Sequence, residues 1–143
     1  MKIVQAKEEN GQTLTNLFKV LYKPESRWSE QVIRQNIQKG KYEYWIIFDD
    51  EPVGVISLKF PDSTCEVEAI AVSDPWKGYG SKLIEFAEEL AKKRGCETIW
   101  CHSLELYQAG KFYKKLGWLE EYFMPDYWDG QHCYKYSKSL ASK

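Results

Sequence analysis

The segment 69–83, A-I-A-V-S-D-P-W-K-G-Y-G-S-K-L, holds the residues whose types and spacing are most suited to chemistry. An apolar strand pattern runs into a turn with Gly78 and Gly80, and a helix pattern starts at once. Glycine lets backbone approach a ligand closely, and the first N–H groups of a helix have no internal acceptor. Those donors, the positive end of the helix dipole and the side chains of Lys77 and Lys82 predict an anion site. The same two glycines would also serve a tight strand-to-helix turn with no ligand. Neither GxGxxG nor GxxxxGK[ST] is present, which excludes the dinucleotide fingerprint and the P-loop.

Upstream on the same strand, Glu66 and Glu68 stand two residues apart and so point to one face. They read either as a pair of proton acceptors or as two solvated carboxylates on a half-exposed strand. His102 and His132 are isolated, with no HxH or HExxH spacing, so no metal site is expected. Cys65, Cys96, Cys101 and Cys133 show no CxxC spacing. They read as reduced, buried thiols of a cytoplasmic protein rather than as a disulfide framework.

These residues need elements to hold them. A short strand is predicted over 2–7, followed by an amphipathic helix with Leu14, Leu17, Phe18, Leu21 and Tyr22 on its stripe, ended by Pro24. A second helix runs from Ser29 as cap through Val32, Ile33 and Ile37 to a stop at Gly40. Strands over 42–48 and 53–60 join through the turn Asp49-Asp50-Glu51-Pro52. A further strand over 65–72 leads through the glycine loop into a long helix over 78–94, whose buried face carries Leu83, Ile84, Ala87, Leu90 and Ala91. Lys92, Lys93 and Arg94 suit its negative end, and Gly95 its left-handed stop. A strand over 98–103, a helix over 107–116 closed by Gly117, and strands near 119–124 and 132–137 complete the chain.

The order of elements and two motifs together resemble the GNAT superfamily of acyl-CoA N-acyltransferases. Trp76-Lys77-Gly78-Tyr79-Gly80 is similar to the later positions of that family's (Arg/Gln)-x-x-Gly-x-(Gly/Ala), with Pro75 in the first position. The stretch from Ala109 to Trp118, A-G-K-F-Y-K-K-L-G-W, is similar to its A-x-x-F-Y-x-x-L-G-F, with Leu106 where an Asn is usual. The element order, with no Pro/Gly/Ser-rich linker dividing it, predicts one α+β domain over 1–143, and the resemblance implies its sheet. Its mixed, mostly antiparallel sheet would have six or seven strands, with helices on both faces and a splay between the fourth and fifth strands. It also implies that acetyl-CoA is bound as acyl-donor cosubstrate. The backbone of Lys77, Gly78, Tyr79, Gly80, Ser81 and Lys82 would wrap its pyrophosphate, and strand residues Ile70, Ala71 and Val72 would meet its pantetheine arm. The Ile70 N–H would serve as the oxyanion donor. Glu66, with Glu68 as the second candidate, would take the proton of the amine. Tyr113 would return one to the departing thiolate and so belongs to both the catalytic and the cofactor-binding sets. A cluster of C-terminal aromatics (Tyr122, Phe123, Tyr127, Trp128, Tyr134, Tyr136) with Asp126 and Asp129 reads mainly as packing, with an acceptor pocket as the other reading.

The 143-residue composition bounds these expectations. Hydrophobic residues make up 43% and charged ones 29%, the balance of a folded globular domain rather than of a disordered chain. Twenty basic against twenty-one acidic residues give a net charge of −1, so nucleic-acid binding through overall charge is not expected. No apolar run reaches the roughly 18 residues of a membrane-spanning helix, and no signal-peptide core follows Met1. The expected activity is transfer of acetyl from acetyl-CoA directly to a primary amine of a small molecule or peptide. A non-catalytic acyl-CoA sensor is the alternative, and a homodimer remains open.

Overall fold

The computed structural model describes residues 1–141. Its elements in chain order are β1 (Lys2–Gln5), α1 (Gly11–Phe18), α2 (Glu30–Gln38), β2 (Glu43–Asp49), β3 (Glu51–Lys59) and β4 (Thr64–Val72). They continue with α3 (Tyr79–Lys93), β5 (Thr98–Leu104), α4 (Gly110–Lys115), β6 (Leu119–Trp128) and β7 (Gln131–Ser139). The seven strands form one sheet in the order β1-β2-β3-β4-β5-β7-β6. The β4/β5 pair is parallel, whereas β1/β2, β2/β3, β5/β7 and β6/β7 are antiparallel. This is the mixed, mostly antiparallel sheet that the resemblance implied. Two compact units are distinguishable, residues 1–59 with 69–87, and residues 60–68 with 88 onward.

In the first unit α1 and α2 cover one face of β2. Ser29 caps α2 by accepting the Val32 N–H, and Gly40 ends the segment at φ +65°. Phe18 stacks on Trp28 with ring centroids 5.3 Å apart and meets the edge of Tyr44 at 6.1 Å. Leu14, Ile33, Ile46, Val55, Ala69 and Ala71 complete this core. Full burial of side chains such as Leu14 or Ile33 contributes about 1.5–3 kcal/mol each. Trp45, next to Tyr44 on the strand, points the other way and packs on Phe86 of α3 at 4.7 Å. Helices therefore flank both faces of β2.

Two boundaries differ from the sequence pattern for physical reasons. α1 stops at Phe18 rather than continuing to Tyr22. Lys23 takes φ +48°, a 3₁₀ turn follows over Pro24–Ser26, and the chain folds back so that Trp28 reaches Phe18. The expected four-residue hairpin turn is tighter than the sequence implied. Phe48 pairs with Pro52 and Asp49 with Glu51, leaving Asp50 alone at the tip with φ +64°.

In the second unit the first part of β4 pairs with β5, Thr64–Val67 against Thr98–Cys101, and β4 then runs on to Val72. The ladder thus ends part-way along β4, as the expected splay requires. β7 pairs with β5 along its length, from Thr98↔Ser139 to Leu104↔Cys133, and β6 is the outer strand. The helix expected over 107–116 is broken in two. A 3₁₀ turn spans Glu105–Tyr107, Gln108 adopts φ +50°, and α4 is only six residues long. No helix among the described residues is long and apolar enough to cross a membrane.

Candidate functional site

In the first unit, β4 delivers the chain into the glycine loop. Its side chains alternate, with Ala69 and Ala71 buried in the core and Ile70 and Val72 half-buried. Asp74 folds the start of the loop by accepting the Trp76 N–H at 3.0 Å. Trp76 itself is 92% exposed. Gly78 sits at φ +79°, a conformation that suits only glycine comfortably, and α3 begins at the next residue. A side chain on Gly78 would meet no atom within 4 Å, so its constraint is the backbone angle and not crowding by the protein.

The predicted phosphate residues divide by the direction of their side chains. Lys77 and Lys82 are exposed. Tyr79 turns inward, 6% exposed, and its hydroxyl donates to Asp49 Oδ2 at 2.7 Å. That hydrogen bond to a carboxylate holds its phenol above the usual value. The contribution left to Tyr79 at the loop is therefore its backbone. The Lys82 N–H closes the first helical turn on the Gly78 carbonyl at 3.2 Å, so the N–H groups ahead of it are those that helix geometry leaves without an internal acceptor.

In the second unit, Glu66 and Glu68 are half-buried on β4, and Glu66 lies in register with Trp100 of β5. The Trp100 indole donates to Thr64 Oγ1 at 3.1 Å, tying the two strands where the ladder is formed. Tyr113 of α4 is 3% exposed. Its ring stacks on Tyr136 of β7 at 5.0 Å and lies against Trp118 at 5.0 Å. Its hydroxyl is hydrogen-bonded with the thiol of Cys101 on β5. Burial first, and then Cys101, holds the phenol well above its ordinary value. It is therefore a proton donor and not a base at neutral pH. Burial also pushes the Cys101 thiol up to about 12 and the Cys133 thiol up to about 11. Neither forms a thiolate at neutral pH.

His102 is paired with Tyr127, Nδ1 to hydroxyl, at 3.0 Å, and partial burial and Lys135 both lower its pKa. Of the C-terminal aromatics, Phe123 packs on Tyr134 at 5.0 Å and Tyr134 on Tyr136 at 6.0 Å. Tyr136 is buried, whereas Tyr122, Phe123 and Tyr127 are exposed on the outer strand. Asp126 and Asp129 take φ +49° and +52° in the bends of the same hairpin.

One polar group that the sequence pattern passed over is Glu88, 8% exposed on α3. Its carboxylate accepts from the Trp118 indole at 3.1 Å and from Lys138 Nζ at 2.8 Å. The available signal was its place on the apolar stripe, four residues after Ile84 and three before Ala91. A carboxylate there requires partners.

Comparison with known proteins agrees with this arrangement. The uncharacterized N-acetyltransferase YvbK of Bacillus subtilis (strain 168) is 35% identical over 95 residues. That match covers 59% of this chain, and this chain spans only 60% of the relative's length. An aminoglycoside 6'-N-acetyltransferase, solved in complex with coenzyme A, superposes with a TM-score of 0.82 at 17% identity, covering 100% of this chain and 99% of the other. The ribosomal-protein-S18-alanine N-acetyltransferase of Escherichia coli gives 0.80 at 18% identity, covering 99% and 95%. At these identities the structural likeness speaks for the fold. The model of the acetyltransferase (GNAT) family matches residues 11–118. By that match the chain belongs to the acetyltransferase (GNAT) family.

Proposed function

We propose that this protein transfers the acetyl group of acetyl-CoA directly to a primary amine of a small molecule or peptide. The observation that carries the reading is the strand–turn–helix at 69–82. There Gly78 at φ +79° leads into a helix whose first N–H groups have no internal acceptor, beside exposed Lys77 and Lys82, a combination suited to an anion. In this reading the backbone N–H groups of residues 77–81 and the Lys82 side chain hold the pyrophosphate, since the Lys82 N–H is taken by the Gly78 carbonyl, and Ile70 and Val72 offer backbone groups to the pantetheine arm. The Ile70 N–H stabilises the oxyanion.

The amine must lose a proton before it attacks, because an ammonium has no lone pair. Glu66 or Glu68, directly or through water, accepts that proton. The amine nitrogen then bonds to the thioester carbon, the C–S bond breaks, and the sulfur leaves with the electron pair. Tyr113, held protonated by burial, supplies a proton to it. Direct transfer is favoured over a cysteine relay because Cys101 and Cys133 are buried and kept as neutral thiols. Four buried free cysteines fit a reducing compartment such as the cytoplasm. We read the whole chain as one catalytic domain.

The test is thiol release. With acetyl-CoA and a panel of amines (tyramine, spermidine, kanamycin and an Ala-initiated peptide), free CoA should appear in step with acetylated amine. Tight cofactor binding with no CoA release across the panel would instead favour a sensor of acyl-CoA.

A further inference from the structure

α4 has only six residues, and a helix that short has little stability of its own in water. Whatever fixes Tyr113 must come from outside the helix. The Tyr113 carbonyl accepts from the N–H groups of Leu116 at 3.1 Å and Trp118 at 2.9 Å. The Leu116 carbonyl in turn accepts from Lys138 Nζ at 2.9 Å. Lys138 also donates to Glu88 Oε1 at 2.8 Å, and the Trp118 indole donates to Glu88 Oε2 at 3.1 Å. The Trp118 ring then returns to the Tyr113 ring, with centroids 5.0 Å apart. Both oxygens of one carboxylate thereby close a circuit that begins and ends on Tyr113.

Stability alone does not explain a carboxylate at this position. A buried ion pair rarely stabilises a protein more than well-packed apolar groups of the same size would. What two charged hydrogen bonds add is direction, because each fixes its partner at a set distance and angle. The indole and the Lys138 ammonium are the two partners so fixed; Lys138 in turn holds the Leu116 carbonyl, and the backbone N–H groups of Leu116 and Trp118 both donate to the Tyr113 carbonyl.

We propose that Glu88 is a positioning residue for acetyl transfer, acting through Trp118 and Lys138 to set the place from which the Tyr113 phenol donates its proton. This deepens the function proposed above and rests on its assignment of Tyr113.

The test compares Glu88→Gln, Tyr113→Phe and the double variant. Glu88→Gln keeps an acceptor for the indole and removes the charge that holds Lys138. Amide exchange should show protection of Leu116 and Trp118 reduced by about tenfold or more, with Cys101 on β5 unchanged. With the most active amine of the panel, kcat should fall about tenfold or more while KM for acetyl-CoA stays within about twofold. The double variant should be no slower than Tyr113→Phe alone, because both changes disable one device. Unchanged protection at Leu116 and Trp118, or losses that multiply in the double variant, would overturn the proposal.

Lys138→Met guards against a Glu88 variant that fails to fold. It should loosen the same two amides, and intact protection there would count equally against the circuit. Should Tyr113→Phe be slow while Glu88→Gln is as fast as the parent, the positioning role alone is lost. Should Tyr113→Phe leave kcat unchanged, the acid assignment is at fault and the positioning role goes with it.

Discussion

Tyr113 meets two requirements that pull in different directions. Burial against Tyr136 and Trp118 holds its ring still, and the same burial raises the energy of its phenolate. A phenol so held keeps its proton at neutral pH, and the same rise makes it a weaker acid toward the departing thiolate of the proposed transfer. Replacing Tyr113 by Phe removes the proton and little of the packing. Turnover should drop about tenfold or more, with affinity for acetyl-CoA almost unchanged, as read from kcat and from the cofactor's dissociation constant. Equal loss of both would mark the side chain as packing only. At β4 the choice lies between two half-buried carboxylates. Glu66→Gln and Glu68→Gln test the two in turn: if one is the proposed base, its variant should lower kcat about tenfold or more while the other leaves kcat within about twofold. Tyr113, Glu66 and Glu68 could be named as candidates from the sequence because a motif and a strand pattern single them out. The surroundings of Tyr113 could not, since Cys101 lies on another element and Glu88 connects to it only by way of Trp118, and only the packed chain brings them together.

At the scale of elements, the glycine loop is where backbone and binding depend on one another. Gly78 at φ +79° would strain any replacement, so Gly78→Ala should cost about 1–2 kcal/mol of stability, measured by denaturant unfolding. Gly80 lies in the first turn of α3, where the backbone itself is the proposed ligand. Gly80→Val should weaken acetyl-CoA binding about tenfold or more by holding the phosphate away from the main chain, with a smaller effect on unfolding. An unchanged dissociation constant would remove this loop from the site.

The elements also separate what a local pattern can reveal from what it cannot. Ser29, Gly40, Gly95 and Gly117 each mark a helix end at the position the sequence implied, because caps and left-handed stops are local events. The early end of α1 at Phe18 and the break before α4 at Gln108 were hidden. Trp28 stacking on Phe18 sets the first, a contact across a loop to which helical periodicity is blind. β6 likewise extends past Pro125 to Trp128, which an outer strand tolerates because it needs no ladder partner on its free side.

For the molecule as a whole, the thiols make stability depend on pH in one direction. Exposed cysteine titrates near 9.0, whereas in the folded chain burial holds Cys101 at about 12 and Cys133 at about 11. The folded state therefore retains protons that the unfolded state has released. This contribution to stability is complete below pH 9 and is lost as the pH rises toward 11 and 12. Denaturant midpoints should decline steadily across that range, and Cys101→Ala with Cys133→Ala should flatten the decline. A parent profile already flat from pH 8 to 11 would show that these groups are not held as described.

The central claim is that backbone donors at the start of α3 hold the diphosphate of an acetyl donor. Isothermal titration calorimetry with acetyl-CoA and with desulfo-CoA tests it most directly. The account predicts saturable binding of one molecule of either per chain, weakened to a similar degree for both by Gly80→Val. Absence of binding heat for both, at protein concentrations that would reveal a dissociation constant of about 1 mM, would contradict it.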